Sequence, residues 1–323
     1  MKGGRSLNLL ITGGAGFIGL NFVHYLLKSA SHQITVMDSL TYASHPDEIQ
    51  ELTSNPKFRF IKGNIANKND LNAVMDQQYE AIIHFAAESH VDNSIQNADD
   101  FIQTNIVGTY ELLQQLKTGA AKKMIHVSTD EVYGTLTPAQ DPFTELSPLS
   151  PNNPYSATKA SSDLLVRAYY ETFKLPLMTT RCSNNFGPFQ NKEKFIPTII
   201  YSALQNKKIP IYGDGQQIRD WLFVEDHCKA ISLILEKGTS GEVYNIGGGN
   251  ERKNIDLVKR ILEIMGKPES LIEYIEDRKG HDRRYAIDST KLQNKLNWEQ
   301  TSTFDQSLVK TVEWHMNKFG ASI

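Results

Sequence analysis

Cysteine is scarce. Cys182 and Cys228 are the only two in 323 residues, too few for a disulfide framework. No C-x-x-C or H-E-x-x-H spacing occurs, so no metal site is expected. Each cysteine sits in an apolar stretch and reads as a buried free thiol. Long hydrophobic runs are also missing, since none approaches the ~18 residues that cross a bilayer. Lys2 and Arg5 before the apolar stretch from Leu7 to Leu20 mimic a signal peptide. Gly13, Gly14, Gly16 and Gly19 break that stretch and no small-residue cleavage site follows, so a strand entering a glycine turn explains it better and a cytoplasmic protein is expected. Nor is there an excess of one charge: the net charge is −3, which argues against nucleic acid or an anionic membrane as the main partner. No internal repeat or low-complexity tract appears. A hydrophobic content of 40% and a charged content of 22% are ordinary for a soluble protein.

What is present is alternation. Apolar runs at Leu7–Thr12, Ile34–Asp38, Phe58–Lys62, Ala81–Phe85, Lys123–Ser128 and Leu175–Arg181 read as strands. Helical periodicity fills the gaps, notably over Phe17–Lys28, Asp100–Leu116 and Tyr155–Phe173. This predicts an α/β fold, a doubly wound parallel sheet covered by helices on both faces. After about residue 186 the pattern loosens around Pro188, Pro197, Pro210 and Gly213-Asp214-Gly215. A new strand-like run, Glu242–Ile246, leads to Gly247-Gly248-Gly249. We therefore expect a Rossmann-type dinucleotide domain over residues 1–186, with about 222–248 returning to it. Residues 187–323 should form mainly a smaller, interleaved substrate-binding lobe.

Three motifs carry chemistry. In the first, Gly13, Gly16, Phe17, Ile18 and Gly19 follow a strand and open a helix. Glycines there allow a tight turn, and the helix N-terminus offers N–H groups to a pyrophosphate. Asp38, ending the next strand about 20 residues on, is placed for the adenosine ribose. Its carboxylate repels a 2′-phosphate, and Ser39 and Leu40 supply no arginine, so NAD is favoured over NADP. In the second, Ala86 and Ala87 let backbone approach a cofactor, and Ser89 can hold a sugar hydroxyl. His84 and His90 read as hydrogen-bonded histidines rather than ligands. In the third, Thr129, Asp130 and Glu131 end a strand upstream of Tyr155 and Lys159, which share one helix face. There Lys159 is expected to lower the Tyr155 pKa and hold a nicotinamide ribose. With a hydroxyl from Thr129, the pair can move a proton and a hydride. Asp130 and Glu131 imply a second reaction needing an acid and a base, such as loss of water from a new ketone. Taken singly, each feature has a bland explanation: a helix-surface pair, a solvated loop, a turn cap. Their joint placement at the carboxyl ends of the strands weighs against that. Farther on, Lys194, Arg219, Arg278, His281, Arg283 and Arg284 read either as ordinary surface or as a diphosphate clamp.

On these motifs, together with Arg181–Pro188, Glu193–Pro197, Arg219–His227, Tyr244–Gly248 and Asp277–Asp288, the chain resembles the extended short-chain dehydrogenase/reductase superfamily nearly end to end. Within it the sequence is similar to the dTDP-glucose 4,6-dehydratases, and the Thr-Asp-Glu run is the discriminating piece. The resemblance implies a hydro-lyase with tightly bound NAD. Tyr155 would be base toward the sugar 4-hydroxyl, Glu131 would remove the C5 proton and Asp130 would protonate the leaving C6 hydroxyl. It implies further cofactor contacts from Thr41, Asn64, Ile65, Phe85, Glu88, Thr104 and Asn185. Substrate contacts are implied for Ser89, Thr129, Asn184, Lys194, Phe195, Pro210, Tyr212, Arg219, Asn254, Asp277, Arg278 and His281. Asn64 stands where the family commonly has an aspartate, Phe186 where it has a tyrosine, and Lys279 where it has a proline. A homodimer through the helices Asp100–Leu116 and Tyr155–Phe173 is implied, as is a place in L-rhamnose or other 6-deoxy-sugar synthesis. Two other enzyme classes stay open, a nucleoside-diphosphate-sugar 4-epimerase and a GDP-mannose 4,6-dehydratase. So does an NAD-binding sensor that keeps the fold without the chemistry. Release of a 4-keto sugar separates the dehydratases from the other two.

Overall fold

Successive residues of a strand face opposite sides of a sheet, and here both sides are apolar. In a computed structural model, which describes residues 6–29, 32–277 and 281–320, Leu9 and Ile11 join one core. Leu10, between them, joins another. Ala81 and Ile83 against Ile82, and Ile125 against Met124, repeat the division. The first core is closed by helices Phe17–Ser29 and Val224–Lys237, the second by Lys68–Val74 and Thr109–Lys117.

Burial on both faces is the condition under which parallel strands are stable. Seven of them lie in the order Val243–Ile246, Leu177–Cys182, Met124–Thr129, Ala81–His84, Asn8–Thr12, Gln33–Asp38 and Phe58–Lys62, every pairing parallel. This is the doubly wound sheet expected, with strand ends within one or two residues of the sequence reading. The order reverses between Asn8–Thr12 and Ala81–His84, which opens a crevice at the carboxyl ends.

Two features differ from the expectation. The segment read as one helix over Asp100–Leu116 is a short turn, Asp99–Phe101, then a π-helix, Ile102–Gly108, then an α-helix, Thr109–Lys117. The chain also returns to the first core twice. Val243–Ile246 pairs with Leu177–Cys182, and Leu292, Leu296 and Trp298 pack there as well, a return the sequence pattern does not announce. A third core lies between helices Phe195–Leu204, Asn254–Ile264 and Phe304–Gly320, around Ile196, Ile200, Leu257, Ile261, Leu308 and Val312. Beside it Ile218–Phe223 pairs with Glu251–Lys253 and with Asn184–Phe186, and Ile209–Tyr212 pairs with Ile272–Ile275.

Candidate active site

The glycine turn is set by close approach. Gly13 has φ +73°, and a Cβ on it would lie 2.4 Å from the Ala86 nitrogen. A Cβ on Gly19 would lie 2.2 Å from the Gly13 carbonyl oxygen, so only glycine fits at either place. The compressed turn brings the N-terminus of Phe17–Ser29 to the crevice, where its dipole and N–H groups suit an anion. A cleft of about 530 Å³ begins there, and Gly13, Gly16, Phe17, Ile18 and Gly19 line it. It continues past Asp38, Ser39, Thr41, Asn64, Ile65, Phe85, Ala86, Ala87, Glu88 and Thr104. Leu40 is the exception. Its side chain packs on the core, and its N–H, 2.8 Å from Asp38 Oδ1, serves the carboxylate instead.

Asp38 also accepts from Ala15 N at 3.0 Å and Ser44 Oγ at 3.0 Å. Three of roughly four acceptor sites are used, and the remaining one, on Oδ2, is available to a ribose hydroxyl. The Asn64 side-chain oxygen accepts from Ala66 N at 2.9 Å, so its acceptor capacity is partly spent within its own turn. His84 is buried between the Thr12 and Thr109 hydroxyls, at 2.8 and 3.0 Å, and His90 caps a helix by accepting from Asn93 N.

At the other end of the cleft, strand Met124–Thr129 runs into a 3₁₀ turn, Asp130–Tyr133. Thr129 Oγ1 accepts from Glu131 N and donates to Asp130 Oδ1, each at 3.3 Å. Helix Pro154–Phe173 faces this turn. It starts there because Asn153 accepts from Ser156 N at 2.8 Å while Ser156 Oγ accepts from Asn153 N at 3.3 Å, with Pro154 in the first turn. The helix puts Tyr155 and Lys159 into the cleft wall with Thr129, Asp130 and Glu131.

Electrostatics here follow from burial. The Asp130 carboxyl is held well above the usual carboxylate range by desolvation and by the negative charges of Glu131 and Asp220. Its Oδ2 has no hydrogen-bond partner among the described residues. Burial brings Lys159 down to about 8, opposed by the carboxylate of Asp163 one turn away. Its ammonium donates to the Val127 carbonyl at 2.9 Å. The expected lowering of the Tyr155 pKa is reversed in this protein. Burial and the Glu131 charge push the phenol well above its usual value, and a hydrogen bond with Thr129 opposes them only in part. A buried acid held toward its protonated form, a second carboxyl beside it and a tyrosine are thus within one cleft. Together they can donate a proton, abstract one and exchange one with a hydroxyl.

The expected substrate residues divide. Ser89, Asn184 and Lys194 line the cleft, and Lys194 Nζ donates to the Ser89 carbonyl at 3.1 Å. Phe195, Pro210, Tyr212, Arg219, Asn254, Asp277 and His281 are not in its lining. Several instead meet one another farther along the third core. His281 Nδ1 is 2.6 Å from Asp277 Oδ1, and the Tyr212 ring stands edge-on to His281. Gln217 bridges Asp277 and the Asn254 backbone. Arg219 is buried over the Tyr285 ring, donating to the Asp282 carbonyl at 3.0 Å. Phe195 stacks on Trp221, and Pro210 is exposed on its strand. Arg278 and Lys279 lie outside the described residues. The clamp reading is corrected at Arg284, which is spent on Glu251 and the Thr137 and Gln140 carbonyls. Arg283 pairs with Asp214.

Residues that sequence reasoning passed over also shape the site. Asn153, besides capping, donates to Glu131 Oε2 at 3.4 Å, and Ser94 Oγ accepts from Tyr155 N at 3.2 Å. Asn105, in the π-helix, bonds Glu88 N at 2.9 Å and Glu88 O at 3.0 Å, fixing the segment after strand Ala81–His84. An Asn-Pro pair before a periodic run is a readable cap signal. Nothing in the sequence marks Asn105.

Comparison with known proteins gives one pattern. A family model described as GDP-mannose 4,6 dehydratase matches residues 10–311. A dTDP-glucose 4,6-dehydratase of Xanthomonas campestris pv. campestris (strain B100) is 48% identical, over 95% of this chain and 92% of the relative. A crystal structure of dTDP-glucose 4,6-dehydratase from Bacillus anthracis str. Ames in complex with NAD has a TM-score of 0.90 at 46% identity, covering 98% of each chain. One from Streptomyces venezuelae with NAD and TYD bound has a TM-score of 0.93 at 42% identity, covering 97% of this chain and 98% of that one.

Proposed function

We propose, on the premise that this chain belongs to the dTDP-glucose 4,6-dehydratase family of the extended short-chain dehydrogenases/reductases, that it converts dTDP-glucose to dTDP-4-dehydro-6-deoxyglucose and water. NAD is the cofactor, and the chain's own residues fit it. Added side-chain atoms at Gly13 and Gly19 would strike the Ala86 nitrogen and the Gly13 carbonyl and open the tight turn that brings the helix N-terminus to the cleft, and Asp38 keeps one acceptor site for a ribose while repelling a 2′-phosphate. When bound, NAD supplies the acceptor for the C4 hydrogen and its return to C6.

The remaining work falls to side chains. Tyr155, with the Thr129 hydroxyl, takes the proton of the sugar 4-hydroxyl. Lys159, charged below about pH 8, favours the phenolate that burial disfavours, so that Tyr155 can receive this proton and become the phenol, and it anchors the ribose. The ketone so made acidifies the C5 hydrogen. Glu131 removes it, and Asp130 protonates the departing C6 hydroxyl. The observation that carries this reading is the unequal burial of the carboxyl pair, with Asp130 buried and held toward its protonated form beside the less buried Glu131. Environments that push two neighbouring carboxyls apart assign acid and base. An epimerase has no use for such a pair, and neither has a silent sensor. Thymidine, rather than guanosine, rests on the names of the relatives.

The proposal places the enzyme in the cytoplasm and in the supply of L-rhamnose or another 6-deoxy sugar. It includes a homodimer, supported by exposed apolar side chains on the two helical segments expected to pair: Ile102 and Tyr110 on one, Leu164 and Phe173 on the other. The test is incubation with dTDP-glucose. A 4-keto sugar, seen by its alkaline absorbance, should form without accumulation of reduced dinucleotide. Release of a 4-hydroxy epimer, or steady build-up of reduced dinucleotide, would overturn the reading.

A further inference from the structure

Asn185 lines the cleft with Lys159 and Cys182, and two neighbours decide which way its amide faces. The Ser183 carbonyl, 3.0 Å from Nδ2, can only accept, so that end must be the NH₂. The other end, Oδ1, lies 2.9 Å from His227 Nδ1. An amide oxygen can only accept, so His227 must carry its proton on Nδ1. His227 is fully buried in the first turn of Val224–Lys237, and burial lowers its pKa to about 3. The ring is therefore neutral at working pH and has one proton to place. With that proton on Nδ1, the bare Nε2 is left as an acceptor, and it has no partner among the described residues. The Asn185 main chain is pinned separately, by Gln190 Nε2 donating to its carbonyl at 2.9 Å. The second amide N–H is directed at the Cys182 sulfur in the cleft wall.

We propose that His227 is a positioning residue for the cofactor: by donating from Nδ1 to Asn185 it fixes the amide so that its NH₂ edge, and not its carbonyl oxygen, is turned with Cys182 toward the dinucleotide cleft. With the amide turned over, its oxygen would face the Ser183 carbonyl and its NH₂ would face a protonated Nδ1, both unfavourable. The inference rests on the reading of the cleft as an NAD site, and it assigns the reason why a histidine stands behind Asn185.

The test has two parts. In protein carrying ¹⁵N-labelled histidine, the resonances lost in His227→Asn identify the ring, and its nitrogen shifts should report the Nδ1–H tautomer. An Nε2–H tautomer, with NAD binding intact, overturns the inference alone. NAD affinity is then compared across variants. Asparagine puts an N–H close to where Nδ1 was, so His227→Asn should bind NAD within about threefold of the parent protein. Glutamine places its donor at the Nε2 position, leaving Asn185 Oδ1 unpaired, so His227→Gln should bind about tenfold more weakly. Equal weakening in both variants would show that the ring only packs, and would overturn the inference. Absence of NAD binding by the parent protein would instead sink the functional reading.

Discussion

Asp130→Asn separates two consequences of one buried carboxyl. Loss of the proton donor should slow elimination by about 10²–10⁴-fold. A substrate carrying fluoride at C6, which leaves without protonation, should be spared in part, and product formation from the two substrates checks this. Stability should move the other way. The folded protein holds the Asp130 proton more tightly than the unfolded chain, so the cost of this group is absent below the ordinary value of 3.8 and grows as pH rises above it. Asparagine removes that cost, and the melting temperature at neutral pH should rise by about 1–4 °C. The gain should fade as the pH is lowered toward 4. Lys159 makes a separate prediction. With its pKa brought to about 8, its charge is lost as pH rises through that value. The turnover rate should fall on the alkaline side from about pH 8, as a pH–rate profile would show. The pairing of Tyr155 with Lys159 was legible from their spacing alone, but the direction of the tyrosine's shift was not. It depends on depth of burial and on the Glu131 charge. A one-dimensional pattern holds neither.

Asn153→Ala acts on an element rather than on a single group. Removing a helix cap costs about 1 kcal/mol of stability, measurable by denaturant unfolding. The same change removes the contact with Glu131, so elimination should weaken beyond what the lost stability explains. Saturating kcat compared with the parent protein checks this. Strands such as Met124–Thr129 were readable within a residue or two because buried parallel strands are short, continuous apolar runs. The π-helix Ile102–Gly108 was not. Widening one turn shifts the helix register without any residue that marks it, and the segment still reads as periodic. Its position is nevertheless fixed by packing. A Cβ on Gly108 would lie 2.5 Å from Ile65 Cδ1, so glycine lets this helix lie against a cleft-lining residue. The residues expected to meet substrate were less legible as a group than those expected to meet the cofactor. Tyr212, Asn254 and the Asp277–His281 pair come from separate segments and come together only through the fold.

At the scale of the whole molecule, Leu164 is 56% exposed on the helix that carries Tyr155 and Lys159. If that face pairs two copies, Leu164→Glu should give a monomer by sedimentation velocity, with weaker turnover because the catalytic helix loses its support. An unchanged sedimentation coefficient would remove this helix from the interface. The path of the chain bears on how the protein is made. The core that receives Leu9 and Ile11 also receives Leu292 and Trp298. On a ribosome adding about 5–20 residues per second, the strand opening that core waits about 15–60 s for its last partners to be synthesised. Through that interval the first sheet has an open flank and unburied apolar side chains. The nascent chain is therefore a natural client for chaperones that shield hydrophobic segments until translation is nearly complete.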